Sequence, residues 1–300
     1  MNEFEIYLWA AGAILVAVSA VVIWRRTTRR ARYGAKCEKK VAKVLARLRG
    51  GDFEVVNDIL FSTGREGRTV QIDHVVVSTR GIFIIETKGH RGHIVGNENA
   101  QYWEQKFMMS AKSFYNPLLQ NDGHLRALRR RLPGIAAELF FTAVVFTDAW
   151  RIDIAADEIV EHRKMLPDRH VRRTLDPARR RPRRWWSRRG EVVLDERRMV
   201  MQLESLPGEI RRRQKVIDRS RIGELASRIS SLDLKGRQAR SQHKTYARSA
   251  ARHGIGSIKN GRCPRCGGTL VVREGDYGPY YCCSNYPECR FICSIHAAGL

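Results

Sequence analysis

From Ile6 to Trp24 the chain reads IYLWAAGAILVAVSAVVIW, 19 residues without a charge and without a polar face. As a helix such a run reaches about 28 Å, the thickness of a bilayer core. Glu3 and Glu5 stand before it and Arg25, Arg26, Arg29, Arg30 and Arg32 after it, whereas a cleaved leader puts its positive charges in front. The pattern predicts one transmembrane helix with a basic flank over residues 1–32. It is single-pass in the inner (cytoplasmic) membrane, with the N-terminus out and the bulk of the chain in the cytoplasm. Tyr7, Trp9 and Trp24 take interfacial positions.

Past the arginines the period changes. In GAKCEKKVAKVLARL, Val41, Val44, Leu45 and Leu48 recur at helical spacing, with Glu38 one turn earlier on the same stripe. A carboxylate there answers the helix dipole or does chemistry. Phe53 to Val56, Val70 to Ser78 and Ile82 to Thr87 read as strands. VVV and IFII are apolar on both faces, the mark of strands covered by helices. Asp73 and the triplet Glu86-Thr87-Lys88 break that pattern at strand ends, and buried charge needs a purpose. Thr79-Arg80-Gly81 joins the last two strands. A two-residue Arg80-Gly81 turn sets Asp73 opposite Lys88 and on the face of Glu86; a three-residue loop inverts the parity. A helix through Leu132, carrying Arg126, Arg129, Arg130 and Arg131, and a strand from Leu139 to Phe146 complete residues 33–160. The order of helix, strand, hairpin, helix and strand predicts an α/β fold, a mixed sheet flanked by helices.

Composition narrows the partners. With 55 Lys and Arg against 31 Asp and Glu, the 300 residues carry a formal charge of +24, and 43% of them are hydrophobic. That apolar content excludes disorder of the whole chain, and the charge points to a polyanion, either nucleic acid or anionic lipid. Residues 161–260 form a basic, partly helical region. Its segment RRRPRRWWSRR, from Arg179 to Arg189, offers guanidinium groups and indoles that suit phosphates and bases or a lipid surface equally. Glu191 to Leu203 reads as a strand, Pro207 to Leu232 as basic and helical, and the polar stretch Gly236 to Asn260 as a linker.

Glu38 on a helix, Asp73 opening one core strand and Glu86-x-Lys88 closing the next resemble the PD-(D/E)XK nuclease superfamily. The segments GAKCEKKVAKVL, Ile72-Asp73-His74, GIFIIETKG and NPLLQNDGH resemble its NERD, or nuclease-related, domain, over about Gly34 to Asp148. Ile72 replaces the proline of the superfamily name. The resemblance implies a restriction-endonuclease-like sheet and metal-dependent cleavage of phosphodiester bonds in DNA. In that chemistry Asp73 and Glu86 supply hard oxygens to Mg2+ or Mn2+, Lys88 serves the attacking water, and Glu38 and Gln120 line the site. His74, Asn121 and His124 are polar neighbours of the same motifs. An inactive descendant of the fold would instead tether nucleic acid to the membrane.

Residues 261–294 carry a second constellation. Cys263-x-x-Cys266 and the pair Cys283 and Cys289, separated by a short hairpin, have the spacing of a tetrahedral Zn2+ site. The segment CPRCGGTLVVREGDYGPYYCCSNYPEC resembles the four-cysteine zinc finger of type IA topoisomerases, with Cys282 where that pattern has glycine. The resemblance implies a small zinc-ribbon-like domain that binds DNA, single-stranded above all. Arg265, Arg273, Tyr280, Tyr281, Tyr286, Arg290 and Phe291 would provide cationic and stacking groups. An adaptor for proteins is the other use of such a knuckle.

Overall fold

A computed structural model describes residues 3–48, 51–64, 68–98, 100–155, 192–193, 197–275, 278–286, 288–289 and 291–295. The arginine-rich segment Arg163 to Arg189 lies outside them. Helix α1 (Glu3–Leu45) is continuous through the boundary expected near residue 32. Strands β1 (Phe53–Ser62), β2 (Thr69–Ser78) and β3 (Gly81–Asn97) form a meander. A hairpin of β4 (Tyr102–Lys106) and β5 (Ala111–Tyr115) leads to α2 (Pro117–Arg131) and β6 (Phe140–Ala155). After β7 (Val192–Val193) and β8 (Arg198–Gln202) come helices α3 (Leu206–Arg211), α4 (Arg221–Ser230) and α5 (Arg237–Lys259). Strands β9 (Leu270–Gly275), β10 (Gly278–Cys283) and β11 (Ile292–Ser294) close the chain as a separate small sheet.

The main sheet runs β1-β2-β3-β6-β8-β7, mixed as expected. Its β3–β6 and β6–β8 pairs are parallel and the rest antiparallel. Both faces are covered. Val41, Leu45 and Leu48 pack on Val76, Phe83, Ile85, Ala143 and Val145 on one side. Leu128 of α2 and Leu132 just after it, with Ile222, Leu225 and Ile229 of α4, pack on Val75, Val77, Ile82 and Ile84 on the other. The double burial of VVV and IFII is thus the cause of their unbroken apolar runs.

Ser78 pairs with Gly81 around a two-residue Thr79-Arg80 turn, one residue earlier than the Arg80-Gly81 alternative. Gly81 has φ +128°, and a Cβ there would lie 2.4 Å from the Phe141 ring, so the turn depends on glycine. This register carries Asp73 to a place opposite Glu86 rather than Lys88.

One expectation needs correction. Gly236 to Asn260 is a helix and not a linker. Its Ala, Arg, Gln and Lys are good helix formers, and Arg240 ties it to Asp58 at 2.6 Å while His243 Nδ1 meets Thr69 Oγ1 at 2.9 Å. The basic region from Pro207 to Leu232 is two helices, broken between Arg211 and Arg221 where the Val216 and Ile217 N–H groups bond to Thr79 O. No helix among the described residues is long and apolar enough to cross a membrane. Of the expected span, side chains are described for Trp9 and from Gly12 onward.

Where α1 meets the sheet, Asp148 accepts hydrogen bonds from Tyr33 Oη, Lys40 Nζ and Thr147 Oγ1, each at 2.7 Å. Burial opposes its charge, yet these donors hold its carboxyl well below the usual range, while burial and Asp148 push the Tyr33 hydroxyl up to about 12. A depressed carboxylate contributes stability that is complete above its unfolded pKa, near 4, and is lost as the pH falls further. Asp148→Asn should therefore cost about 2 kcal/mol at neutral pH. Denaturant melts should show that difference shrinking in acid.

Candidate nuclease cleft and zinc site

Strand β6 occupies one edge of β3 along its length, so β2 and β4 must share the other. β2 takes residues 81–85 of that edge and β4 takes residues 93–95. Between them residues 86–92 face an open fork, and the triplet Glu86-Thr87-Lys88 lies in it. Lys88 Nζ donates to Glu86 Oε1 at 2.7 Å and to Gln120 Oε1 at 2.8 Å, and Gln120 Nε2 donates to the same Glu86 oxygen at 2.8 Å. Asp73 Oδ2 accepts the Thr87 N–H at 2.8 Å. Glu86 is 3% exposed, and among the described residues its Oε2 has no hydrogen-bond partner. A buried, bare carboxylate oxygen is costly without a cation or a donor.

The segment NPLLQNDGH builds half of this site. Asn116 caps α2 by accepting the Leu118 N–H at 2.8 Å, and Pro117 supplies a first turn that needs no donor. One turn on, Gln120 reaches Lys88. Asn121 Nδ2 bonds to Ile84 O at 3.0 Å and Ala143 O at 3.1 Å, pinning the helix across β3 and β6. Another turn on, His124 Nδ1 stands 3.4 Å from Glu86 Oε2, and burial pushes its ring pKa down. His74 is bonded to Asn57, and burial lowers it to about 4 against the opposing charges of Glu86 and Asp58.

The acids repel one another. Burial, then Glu86, raises Asp73 well above the usual carboxylate range against the opposing Thr87 N–H. Burial, then Asp58 and Glu86, raises Glu38, with Lys244 of α5 opposing. Glu38, Asp73, Glu86, Lys88 and Gln120 are thus brought into one neighbourhood. Sequence reasoning missed Asp58. It sits in β1 at φ +53°, a left-handed backbone rare for a non-glycine residue, and interrupts the β1–β2 pairing at the level of Asp73. The polar Asn57-Asp58 pair within an apolar strand was its signal.

The oxygen set fits a hard cation. Among the described residues only the four cysteines bring three or more metal-binding atoms within 4.8 Å of one another. The cleft carboxylates form no such group; a Mg2+ ion needs only one or two carboxylates and keeps several waters.

In the small domain the Cys263 and Cys289 sulfurs lie 3.7 Å apart and those of Cys266 and Cys283 3.3 Å apart. The Gly268 N–H, with Cys283, lowers the Cys266 thiol to about 7, whereas burial raises Cys283 to about 12. Four converging thiols support Zn2+. Cys282 is outside the cluster, since neighbours along β10 alternate in direction. Of the expected DNA-contacting groups, Arg265 and Arg273 are exposed, and Tyr280, Tyr281 and Tyr286 are half-buried. Arg273 and Tyr280 are paired across β9 and β10. Phe291 is 1% exposed and packs with Ile258, Leu270 and the cysteines in the domain's core. Arg290 lies outside the described residues. The domain is docked, not tethered: Gln101 N–H bonds to Ile292 O at 2.9 Å, and Tyr102 packs against its core.

Residues 33–147 match the nuclease-related domain family, NERD, and residues 260–298 match the topoisomerase DNA binding C4 zinc finger. An uncharacterized protein of Bacillus anthracis is 35% identical over 111 residues, 36% of this chain and 52% of that protein. DNA topoisomerase 1 of Methanothermobacter thermautotrophicus is 49% identical over 35 residues, 12% of this chain and 5% of the enzyme. The uncharacterized protein YrdD of Escherichia coli is 40% identical over 43 residues, 14% of this chain and 24% of that protein. The chain thus spans about half the length of the first relative and a small part of the second. No solved structure matches it at a significant level. Within its 300 residues the chain joins a segment that matches the nuclease-related domain to one that matches the topoisomerase C4 zinc finger.

Proposed function

We propose that this protein is a metal-dependent nuclease that hydrolyses phosphodiester bonds in DNA, with the zinc ribbon holding the substrate. The observation that carries the reading is the convergence of Lys88, Gln120 and Glu86 in the fork beside Asp73, with Glu86 Oε2 bare. Asp73 and Glu86, with Glu38 behind them, would hold Mg2+ or Mn2+. The cation supplies positive charge to polarise the phosphoryl group. Gln120 accepts from Lys88 and orients its ammonium, which positions the attacking water by donating to it. The docked ribbon keeps bound DNA at a fixed distance from the cleft.

Lys88→Ala should lower kcat by about 10²-fold or more with little change in KM, because its work is on the water. Steady-state cleavage of a fluorescent oligonucleotide checks this. An equal loss of binding would make Lys88 a phosphate contact. If the pure chain cleaves nothing, the protein is a DNA tether.

The same reading places the chain at the cytoplasmic membrane, N-terminus out. It is supported by exposed Ile14, Leu15, Val16, Ile23 and Trp24 on α1, followed by five arginines. The arginines would add attraction to anionic lipid. Alkaline extraction of membranes tests this: the chain should stay in the pellet, and its recovery in the supernatant would contradict the placement.

A further inference from the structure

The β4–β5 hairpin ends in an unusual tip. Tight turns favour Gly, Asn, Asp, Ser and Pro, but this one reads Phe107-Met108-Met109-Ser110 between Lys106 and Lys112. Met108 and Met109 are fully exposed and Phe107 is 42% exposed, so nothing in the core of the described residues accounts for them.

The tip is nonetheless held in place. Phe107 N–H bonds to Ser110 O at 2.8 Å. A Cβ at Gly92, where φ is +86°, would lie 2.7 Å from Lys106 O and 3.2 Å from the Phe107 ring, so the turn seats directly on a glycine of β3. His90 stacks on Phe114 with centroids 4.0 Å apart, and Gln105 Nε2 donates to Arg91 O at 2.8 Å.

Its direction follows from the register. β4 pairs antiparallel to β3, with Lys106 opposite His93, so the loop beyond Lys106 runs back along the open edge toward Lys88. Three large apolar side chains on a fixed turn therefore stand on the edge of β3 that holds the open fork, at the level of Gly92 and across the β3 register shifts from Lys88.

The chain's charge of +24 and the flanking lysines attract a polyanion. Among polyanions, a nucleic acid also offers flat apolar faces, once its bases are unstacked. We propose that Phe107, Met108 and Met109 form a wedge that stacks on the terminal base pair of a duplex and opens it beside the cleft. The preferred substrate is then a junction of single- and double-stranded DNA. This rests on the nuclease reading for its purpose, but not for its test.

The full chain is mixed with a forked oligonucleotide carrying 2-aminopurine at the first paired position, without magnesium or manganese. Fluorescence should rise with the unaltered chain, and the Phe107→Ser/Met108→Ser/Met109→Ser variant should lose most of that rise. Binding of a fully single-stranded oligonucleotide should be unchanged. Because Phe107 is partly buried, Met108→Ser/Met109→Ser serves as a second variant that leaves its seat on Gly92 intact, and it should lose part of the signal. With Mg2+ added, cleavage of the fork should fall about tenfold in the triple variant, on the scale of one lost base stack. An absence of all cleavage would count against the nuclease reading alone, since the fluorescence readout needs none. Equal fluorescence from the unaltered chain and both variants would overturn the wedge. So would a variant that keeps fork opening but loses binding to phosphatidylserine vesicles, or one that turns a dimer into a monomer.

Discussion

Replacing Asp73 with asparagine is expected to abolish cleavage, by roughly 10³-fold or more, and at the same time to stabilise the cation-free protein at neutral pH. The first effect is the loss of a hard anionic oxygen that a divalent cation needs. The second follows from the electrostatics of the cleft. Burial and Glu86 raise the Asp73 pKa in the folded state, whereas in the unfolded chain it ionises near 3.9. Between those two values the folded state holds the extra proton, so stability declines as the pH rises through that window and the penalty is fully present above it. Asparagine keeps an acceptor for the Thr87 N–H and carries no charge, so the variant escapes the penalty. Thermal melts in magnesium-free buffer should show the variant melting a few degrees higher at pH 8 and no higher at pH 4. A gap that ignores pH would mean that Asp73 is not held against its charge. Stabilisation on removal of a buried charge is the expected signature of groups gathered for function.

The second large effect concerns the ribbon. Cys266→Ser should take the zinc content from one ion per chain to none and unfold residues 261–294, because the small sheet buries little besides its own cysteines, Leu270 and Phe291. Zinc-thiolate sites contribute about 10–16 kcal/mol to such domains, far more than a core of this size. The main sheet should stay folded, since its clusters share no residue with the ribbon's. Affinity for single-stranded DNA should fall by at least about tenfold, and that for duplex by less, because stacking needs unpaired bases. Elemental analysis with fluorescence anisotropy checks both. A ribbon folded without zinc, or unchanged DNA binding, would favour the adaptor use. Cys282→Ser should leave the zinc content intact.

What was readable in the sequence was whatever violated its own surroundings. Asp73 and Glu86-x-Lys88 announced themselves because charges at the ends of doubly buried strands are expensive. Gln120 and His124 came only with the resemblance, through the segment NPLLQNDGH. Mixed-sheet architecture followed from the period of the apolar runs. Other features depended on distant partners. The register of β2 and β3 hinged on one turn, settled by the fit of Gly81 against Phe141. Strands β4 and β5 are short and mostly exposed, with only Trp103 fully buried, so they carry little pattern. Residues 236–260 looked like a linker because their polar surface hid contacts made through Arg240 and His243 to β1 and β2. Phe291 looked like a stacking ring, and only the ribbon's packing shows it turned inward.

The most direct measurement of the central claim is cleavage by the pure, zinc-loaded full chain, dialysed free of other divalent cations and given end-labelled single-stranded and forked DNA. The account predicts intact DNA in that buffer, cleavage on adding Mg2+ or Mn2+, and none from Glu86→Ala under the same conditions. Cleavage that is equal without the added cation, or equal in Glu86→Ala, would contradict it.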